Sequence, residues 1–221
     1  MRFATCIVLA LLTSTSLAQT VKKPDSHHPR MVWEPPDWDY PESAKATVRK
    51  ELLTSFRVSG YKIVLEETAM KDAQDRLGGE VGSRKDGRDA SEWLCYHGTN
   101  ERGKWVLWLE NDEMSPGLIG SFQWRQLSKN DVLDPRCHAL ASGNLIRLSL
   151  PYLNLEATQS QVLQSLGSPT VKDTGRFIYL HAHDVTGKIV RDDPFISSNV
   201  VIVRFRNGAV WAIQASKTTS D

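Results

Sequence analysis

The chain has almost no surplus of charge. Its 27 Lys and Arg stand against 26 Asp and Glu, a formal net charge of +1 at pH 7. It has neither a polybasic nor an acidic tail. Binding to nucleic acid or to an anionic bilayer needs clustered Lys and Arg, so both are excluded as main partners. Long apolar runs are missing too. The longest, Cys6 to Leu12, falls short of the roughly twenty residues that span a bilayer, so no transmembrane segment is expected. Neither Ser149 nor Ser216 sits in a Gly-x-Ser-x-Gly elbow. There is no phosphate loop and no dinucleotide fingerprint, and no cofactor is expected.

What is present begins with a targeting pattern. Arg2, the apolar run Cys6–Leu12 and the small-x-small triplet Ser16-Leu17-Ala18 read as a signal peptide over 1–18. Gln19 stands where a lipoprotein would carry its cysteine. The expected location is therefore the periplasm or the exterior. In such an oxidising compartment the two remaining cysteines, Cys95 and Cys137, are expected to pair, with two free thiols as the alternative. Closing a loop of about forty residues stabilises by roughly 3–4 kcal/mol in the chain-entropy model. The spacing excludes a CxxC redox site and a four-cysteine zinc site. Residues 19–41 form a Pro-, His- and charge-rich linker. Its Trp33, Trp38 and Tyr40 are the exception, and docking back on the domain is the favoured reading. His27-His28 has no third ligand beside it and reads as solvated tail.

The chain then says the same thing twice. Leu65-Glu66-Glu67-Thr68 opens an amphipathic stretch ending at Leu77-Gly78-Gly79, and Leu155-Glu156-Ala157-Thr158 opens another ending at Leu166-Gly167-Ser168-Pro169. An internal repeat at fixed offset implies one supersecondary unit used in tandem. In the first copy Met70, Ala73 and Leu77 form the buried stripe. In the second, Thr158 and Gln161 have capping-box spacing, and Val162, Leu163 and Leu166 face inward. An earlier helix is expected over 41–54 from Ala44, Val48, Leu52 and Leu53, followed by a strand from Phe56 toward Leu65 that is interrupted by Ser59-Gly60. Each copy continues into an aromatic strand (92–97 and 176–181) and a hairpin, the second turning at Asn207-Gly208. A further strand is expected at 145–150. The expected fold class is α+β: two tandem units of a helix and three antiparallel strands, 42–140 and 141–221, with their sheets side by side.

The Leu-Gly-x-Pro helix end, the aromatic strand and the terminal Asn-Gly hairpin resemble the outer-membrane-assembly lipoproteins of the BamE/SmpA type. Two such units with a disulfide resemble the β-lactamase-inhibitory proteins. Copy one departs from the pattern, with Gly79 in place of the proline and the charged stretch Arg84–Asp89. The resemblance implies an exported protein-binding module, either an envelope-assembly accessory or an enzyme inhibitor, whose partner is another protein.

The terminal hairpin supplies the candidate site. A two-residue turn pairs Arg206 with Ala209, Arg204 with Trp211 and Ile202 with Ile213. The uncharged face of Phe205, Val203, Val201, Val210 and Ala212 is expected to pack on the helices, which turns Trp211 outward beside Arg204. In copy one Trp108 shares a face with Lys104, Val106 and Glu110 and is expected to extend the same surface. Trp with Arg is the composition of interface hot spots, so Trp108, Arg204, Arg206 and Trp211 are the candidate partner-binding residues. The alternative is that loops or the 33–40 segment cover these tryptophans. No catalytic or metal site is expected. The enzymatic alternative is a metal-dependent hydrolase using His181 and His183, completed by Asp192, Asp193 or His138. Glu66, Glu67 and Glu156 recur before helix N-termini, where the dipole already accounts for them.

Overall fold

The computed structural model describes residues 30–37, 44–86, 89–111, 116–140, 148–184 and 196–220. The expected signal over 1–18, the first part of the linker, Trp38, Tyr40, the first residues of the expected strand at 145–150, Asp192 and Asp193 lie outside the described residues.

In chain order the elements are β1 (Arg30–Val32), β2 (Ser55–Val58), β3 (Tyr61–Val64), α1 (Met70–Leu77), β4 (Val81–Asp86), β5 (Asp89–Asn100), β6 (Gly103–Asn111), β7 (Ser121–Gln126), β8 (Asp131–Leu133), β9 (His138–Ala139), α2 (Gln159–Leu166), β10 (Val171–Asp173), β11 (Arg176–Asp184), β12 (Ile196–Arg206) and β13 (Ala209–Ser220). The expectation of an α+β pair of helix-plus-three-strand units is corrected. The described residues are mostly strand, and nine strands share one sheet in the order β10-β11-β12-β13-β7-β6-β5-β4, with β9 parallel to β5. Antiparallel pairing of Ala212–Ser216 with Ser121–Arg125 joins the last strand of each repeat, so there is one sheet where two were expected.

Each helix is followed by four strands of the main sheet path, β4–β7 and β10–β13, not three. The additional strands, β4 and β10, lie at the two edges of the sheet path. β4 pairs along Val81–Asp86 although Ser83, Arg84 and Lys85 are exposed. Charged side chains on an edge strand discourage pairing with a second molecule.

The expected helix over 41–54 does not form within residues 44–54. There the N–H groups of Thr47 and Val48 both donate to the Leu180 carbonyl on β11, and the Leu52 N–H donates to Asn199 Oδ1 at 2.7 Å. Leu52 and Leu53 are buried. A short helix is marginal without tertiary support. Here the tertiary contacts take the backbone donors themselves. The expected 56–65 strand is a hairpin, β2 and β3, turning at Ser59 (φ 50°) and Gly60 (φ 83°). Two consecutive positive φ values define the type I′ turn that matches strand twist.

The two repeats are tied alike. Gly78 and Gly167 end the helices, at φ 80° and 84°. Tyr96 on β5 donates its hydroxyl to the Gly78 carbonyl, and Tyr179 on β11 donates to that of Gly167. The residue before each helix makes an antiparallel bridge near the start of the last strand, Ala69 to Leu118 just before β7 and Thr158 to Ala209 at the first residue of β13. The Thr158–Gln161 capping box is present in α2. One large apolar cluster lies between the sheet and these helices, drawing Leu94, Tyr96, Trp105, Leu107, Phe122 and Trp124 from copy one and Phe177, Tyr179, Val201, Val203, Val210 and Ile213 from copy two. Among the described residues no helix is long and apolar enough to cross a membrane.

Candidate functional site

The candidate residues lie on the sheet face opposite the helices, and the structure separates them. Trp108 is 0% exposed. Residues 30–37 cross over it as a strap: β1 pairs in parallel with β8, and Trp33 comes down beside the sheet. The Trp108 Nε1–H donates to the Trp33 carbonyl at 2.9 Å, and Gln123 Nε2 donates to the Pro36 carbonyl at 2.8 Å. The Trp33 ring meets Trp93 edge-on at 5.9 Å and is capped by the Arg136 guanidinium at 4.4 Å. Asp134 fixes that guanidinium through hydrogen bonds of 2.8–2.9 Å, and Arg136 in turn holds the Asp134 carboxyl down to about 2.

Trp33 therefore docks back on the domain. The expectation that Trp108 faces outward is corrected: the strap covers it with a second apolar cluster of Val32, Trp33, Trp93, Cys95, Val106, Trp108 and Cys137. The expected disulfide is formed within this cluster, Cys95 to Cys137, with Cα atoms 4.7 Å apart.

In copy two the turn pairs Arg206 with Ala209 as expected, and Phe205 with Val210 follows. Then the register shifts. Arg204 pairs with Ala212 and Ile202 with Gln214, so Trp211 is the extra residue of a β-bulge. Ile213, expected on the outer face, joins the helix-side cluster, and Ala212 and Gln214 take the outer face in its place. Trp211 is half-buried. Its cation–π partner is Arg206, at 4.1 Å from the ring, where Arg204 was expected. Arg204 and Trp211 nevertheless line one open groove of about 520 Å³ with Asp173, Thr174, Gly175, Arg176 and Phe205. Arg204, Arg206 and Trp211 are thus brought together, and Trp108 is not.

Sequence reasoning missed two contributors. Arg176 is the register partner of Arg204 across β11 and β12 and is ion-paired to Asp173 at 2.5 Å. Arg125, the register partner of Ala212, is ion-paired to Asp131 at 3.3 Å. Both follow from strand order, which has no local signal. Between the strap and this end lies a smaller cavity of about 140 Å³, bordered by Pro36, Asp37, Trp108, Arg204 and Gln214.

His181 and His183 share a strand face, 5.1 Å between ring centroids. One His181 ring nitrogen is held on the Val48 carbonyl at 2.7 Å, and the other lies 3.1 Å from His183 Nδ1. His138 is on β9, beside β5 on the side away from β6 and six strand intervals from β11, which is roughly 29 Å at the usual strand spacing. It is too far to complete a site with them. Among the described residues no three His, Cys, Asp or Glu side chains are grouped to hold a metal.

No family model, curated protein or solved structure matches this chain.

Proposed function

We propose that the chain is an exported, non-catalytic protein-binding module of the bacterial periplasm or exterior, an envelope-assembly accessory or an enzyme inhibitor. Its binding surface is the Trp211 end of the outer sheet face. The observation that carries this reading is Trp211 itself, set out on a bulge, stacked by the exposed Arg206 and bordering an open groove. Large aromatic and Arg side chains dominate the energetics of protein interfaces. Export is supported by the signal-like start of the sequence and by a formed disulfide. Kinship with the BamE/SmpA-type and β-lactamase-inhibitory proteins is part of the same proposal, supported by the Gly-x-Pro end of α2 and the Asn-Gly hairpin.

The test is affinity capture from periplasmic extract, identification by mass spectrometry, and titration of the purified partner against wild type and Trp211→Ala. A hot spot of about 2 kcal/mol predicts a roughly thirtyfold weaker complex. The variant is expected to keep the thermal midpoint of the wild type. Equal affinity for the variant removes this surface from the reading.

A further inference from the structure

The two repeats meet at a cleft on the helix side of the sheet. One wall is the β5–β6 turn, which carries Glu101. The other is the chain that leads into α2. There Ser149 and Arg57 exchange backbone hydrogen bonds, and Leu150 bridges Leu153 around Tyr152 (φ 66°). The Glu156 N–H then donates to Asn154 Oδ1 at 2.9 Å. The cleft has a volume of about 510 Å³. Trp105, Leu148, Leu150 and Leu153, all buried members of the large apolar cluster, form its apolar lining. Glu101 and Glu156, both exposed, border it, and its lining among the described residues includes no Lys or Arg.

Two parts of this lining have no use within the fold. The first is the Trp105 indole N–H. Buried indole N–H groups usually find an acceptor. That of Trp108 is held by the Trp33 carbonyl, and those of Trp93 and Trp124 are sealed from solvent without one. Trp105 is 2% exposed, yet its N–H is neither bonded among the described residues nor sealed. That donor opens on the cleft that Trp105 lines. The second is Glu156. Its counterpart in copy one, Glu66, accepts from the Thr219 N–H at 2.6 Å and from the Thr219 hydroxyl at 3.0 Å. The carboxylates of Glu156 and Glu101 have no hydrogen bond or ion pair among the described residues. Basic side chains on the adjoining segments are engaged elsewhere. Arg102 donates to the Val210 carbonyl, Arg57 to the Gly60 carbonyl, and Lys50 lies over the Tyr152 ring at 5.5 Å.

A cleft of this size with an apolar lining and a few convergent polar groups suits a small molecule. Two open carboxylates call for a cation, the leucines for hydrocarbon, and the indole N–H for an acceptor oxygen. We propose that this cleft binds an amphipathic organic amine: its ammonium on Glu101 and Glu156, its hydrocarbon on Leu148, Leu150 and Leu153, and an oxygen on the Trp105 N–H. The site is separate from the Trp211 surface and does not rest on the reading of it.

The test titrates the full mature protein with aminooctanol and follows the Trp105 indole cross-peak in proton–nitrogen NMR spectra. Three relatives of the probe serve as controls: octylamine lacks the oxygen, octanediol lacks the cation, and hydroxyoctanoate reverses the charge. Aminooctanol is expected to move the Trp105 cross-peak saturably, and hydroxyoctanoate is not. Exposed ion pairs are individually weak, so Glu101→Gln and Glu156→Gln should each weaken binding about threefold, and octanediol should bind about tenfold more weakly than aminooctanol. Octylamine should bind about fivefold more weakly, as loss of one neutral hydrogen bond does. Both glutamates are exposed, so the variants should keep the thermal midpoint of the wild type. Trp211→Ala should leave the titration unchanged, so this proposal and the protein-binding reading fail separately. Equal binding of all four compounds overturns the proposal, since it leaves only greasy contact. A Trp105 cross-peak that stays still, or glutamate variants that bind aminooctanol as the wild type does, overturns it as well.

Discussion

Truncating Trp33 to alanine tests whether the strap is a structural seal. Trp33 is 6% exposed, and its ring contacts Trp93 and the Arg136 guanidinium. Removing a buried aromatic costs about 3–5 kcal/mol, the low end where the surroundings can collapse. A three-residue strand on the surface can collapse, so the expected loss is about 3 kcal/mol. For a chain of this length about 2–4 °C is lost per kcal/mol, which predicts a thermal midpoint lower by about 6–12 °C. A local readout accompanies the global one. The Trp108 indole N–H is held by the carbonyl of residue 33, so loosening the strap should expose it. Its hydrogen-exchange protection should fall, and acrylamide quenching of tryptophan emission should rise. A midpoint within about 1 °C of wild type, with the Trp108 indole still protected, refutes the seal.

Three further outcomes are expected. Replacing Cys95 and Cys137 by alanine releases a cross-link with sequence separation 42, worth about 4 kcal/mol in the chain-entropy account; urea unfolding should shift accordingly, and an unchanged midpoint would falsify that figure. Gly98→Ala puts a Cβ 2.3 Å from Trp105 Cζ2, and such overpacking costs about 1–3 kcal/mol; a denaturation midpoint equal to wild type would show that the Trp105 ring can move aside. Burial, then the charges of Lys104 and His138, lower the His97 pKa below its ordinary 6.5. The unfolded chain thus takes up its proton first as pH falls, so stability drops from pH 6.5 downward until the folded His97 also protonates. His97→Gln should flatten that part of the pH–stability curve, and an unchanged slope assigns it to other groups.

The parts of this fold that the sequence made legible are those carried by local chemistry. Thr158 with Gln161, Gly167 before Pro169, and Asn207-Gly208 each fix a few dihedrals or donors without help from distant residues, and all three stand as read. Failure came where distant partners decide. Val48, Leu52 and Leu53 have helical spacing, yet the N–H groups of Val48 and Leu52 are taken by Leu180 and Asn199. Ser83, Arg84 and Lys85 look like a polar loop, yet their backbones complete an edge ladder with β5. The join of β13 to β7, which turns two sheets into one, rests on pairs such as Ile213 with Trp124, far apart in chain order. The site was half legible for the same reason. Composition pointed to Trp and Arg, but which tryptophan is covered depends on where residues 30–37 run.

The bulge decides what Trp211 is for. In an unbroken hairpin Trp211 would oppose Arg204 and Ile213 would face outward. In the structure Ile213 and Ala215 are 0% exposed in the helix-side cluster, and fully burying an isoleucine is worth about 1.5–3 kcal/mol. The core therefore sets the register beyond the bulge, and the turn sets it before. One residue is left over between them, and it is the largest side chain available. Deleting Trp211 would bring Phe205–Val210 and Arg204–Ala212 into consecutive pairing with every core contact in place. The ladder does not require this residue. A deletion variant is thus expected to fold with a midpoint at or above that of the wild type while losing the partner. If the deletion unfolds the chain, the bulge is a structural necessity, and Trp211 loses its claim to be held there for binding.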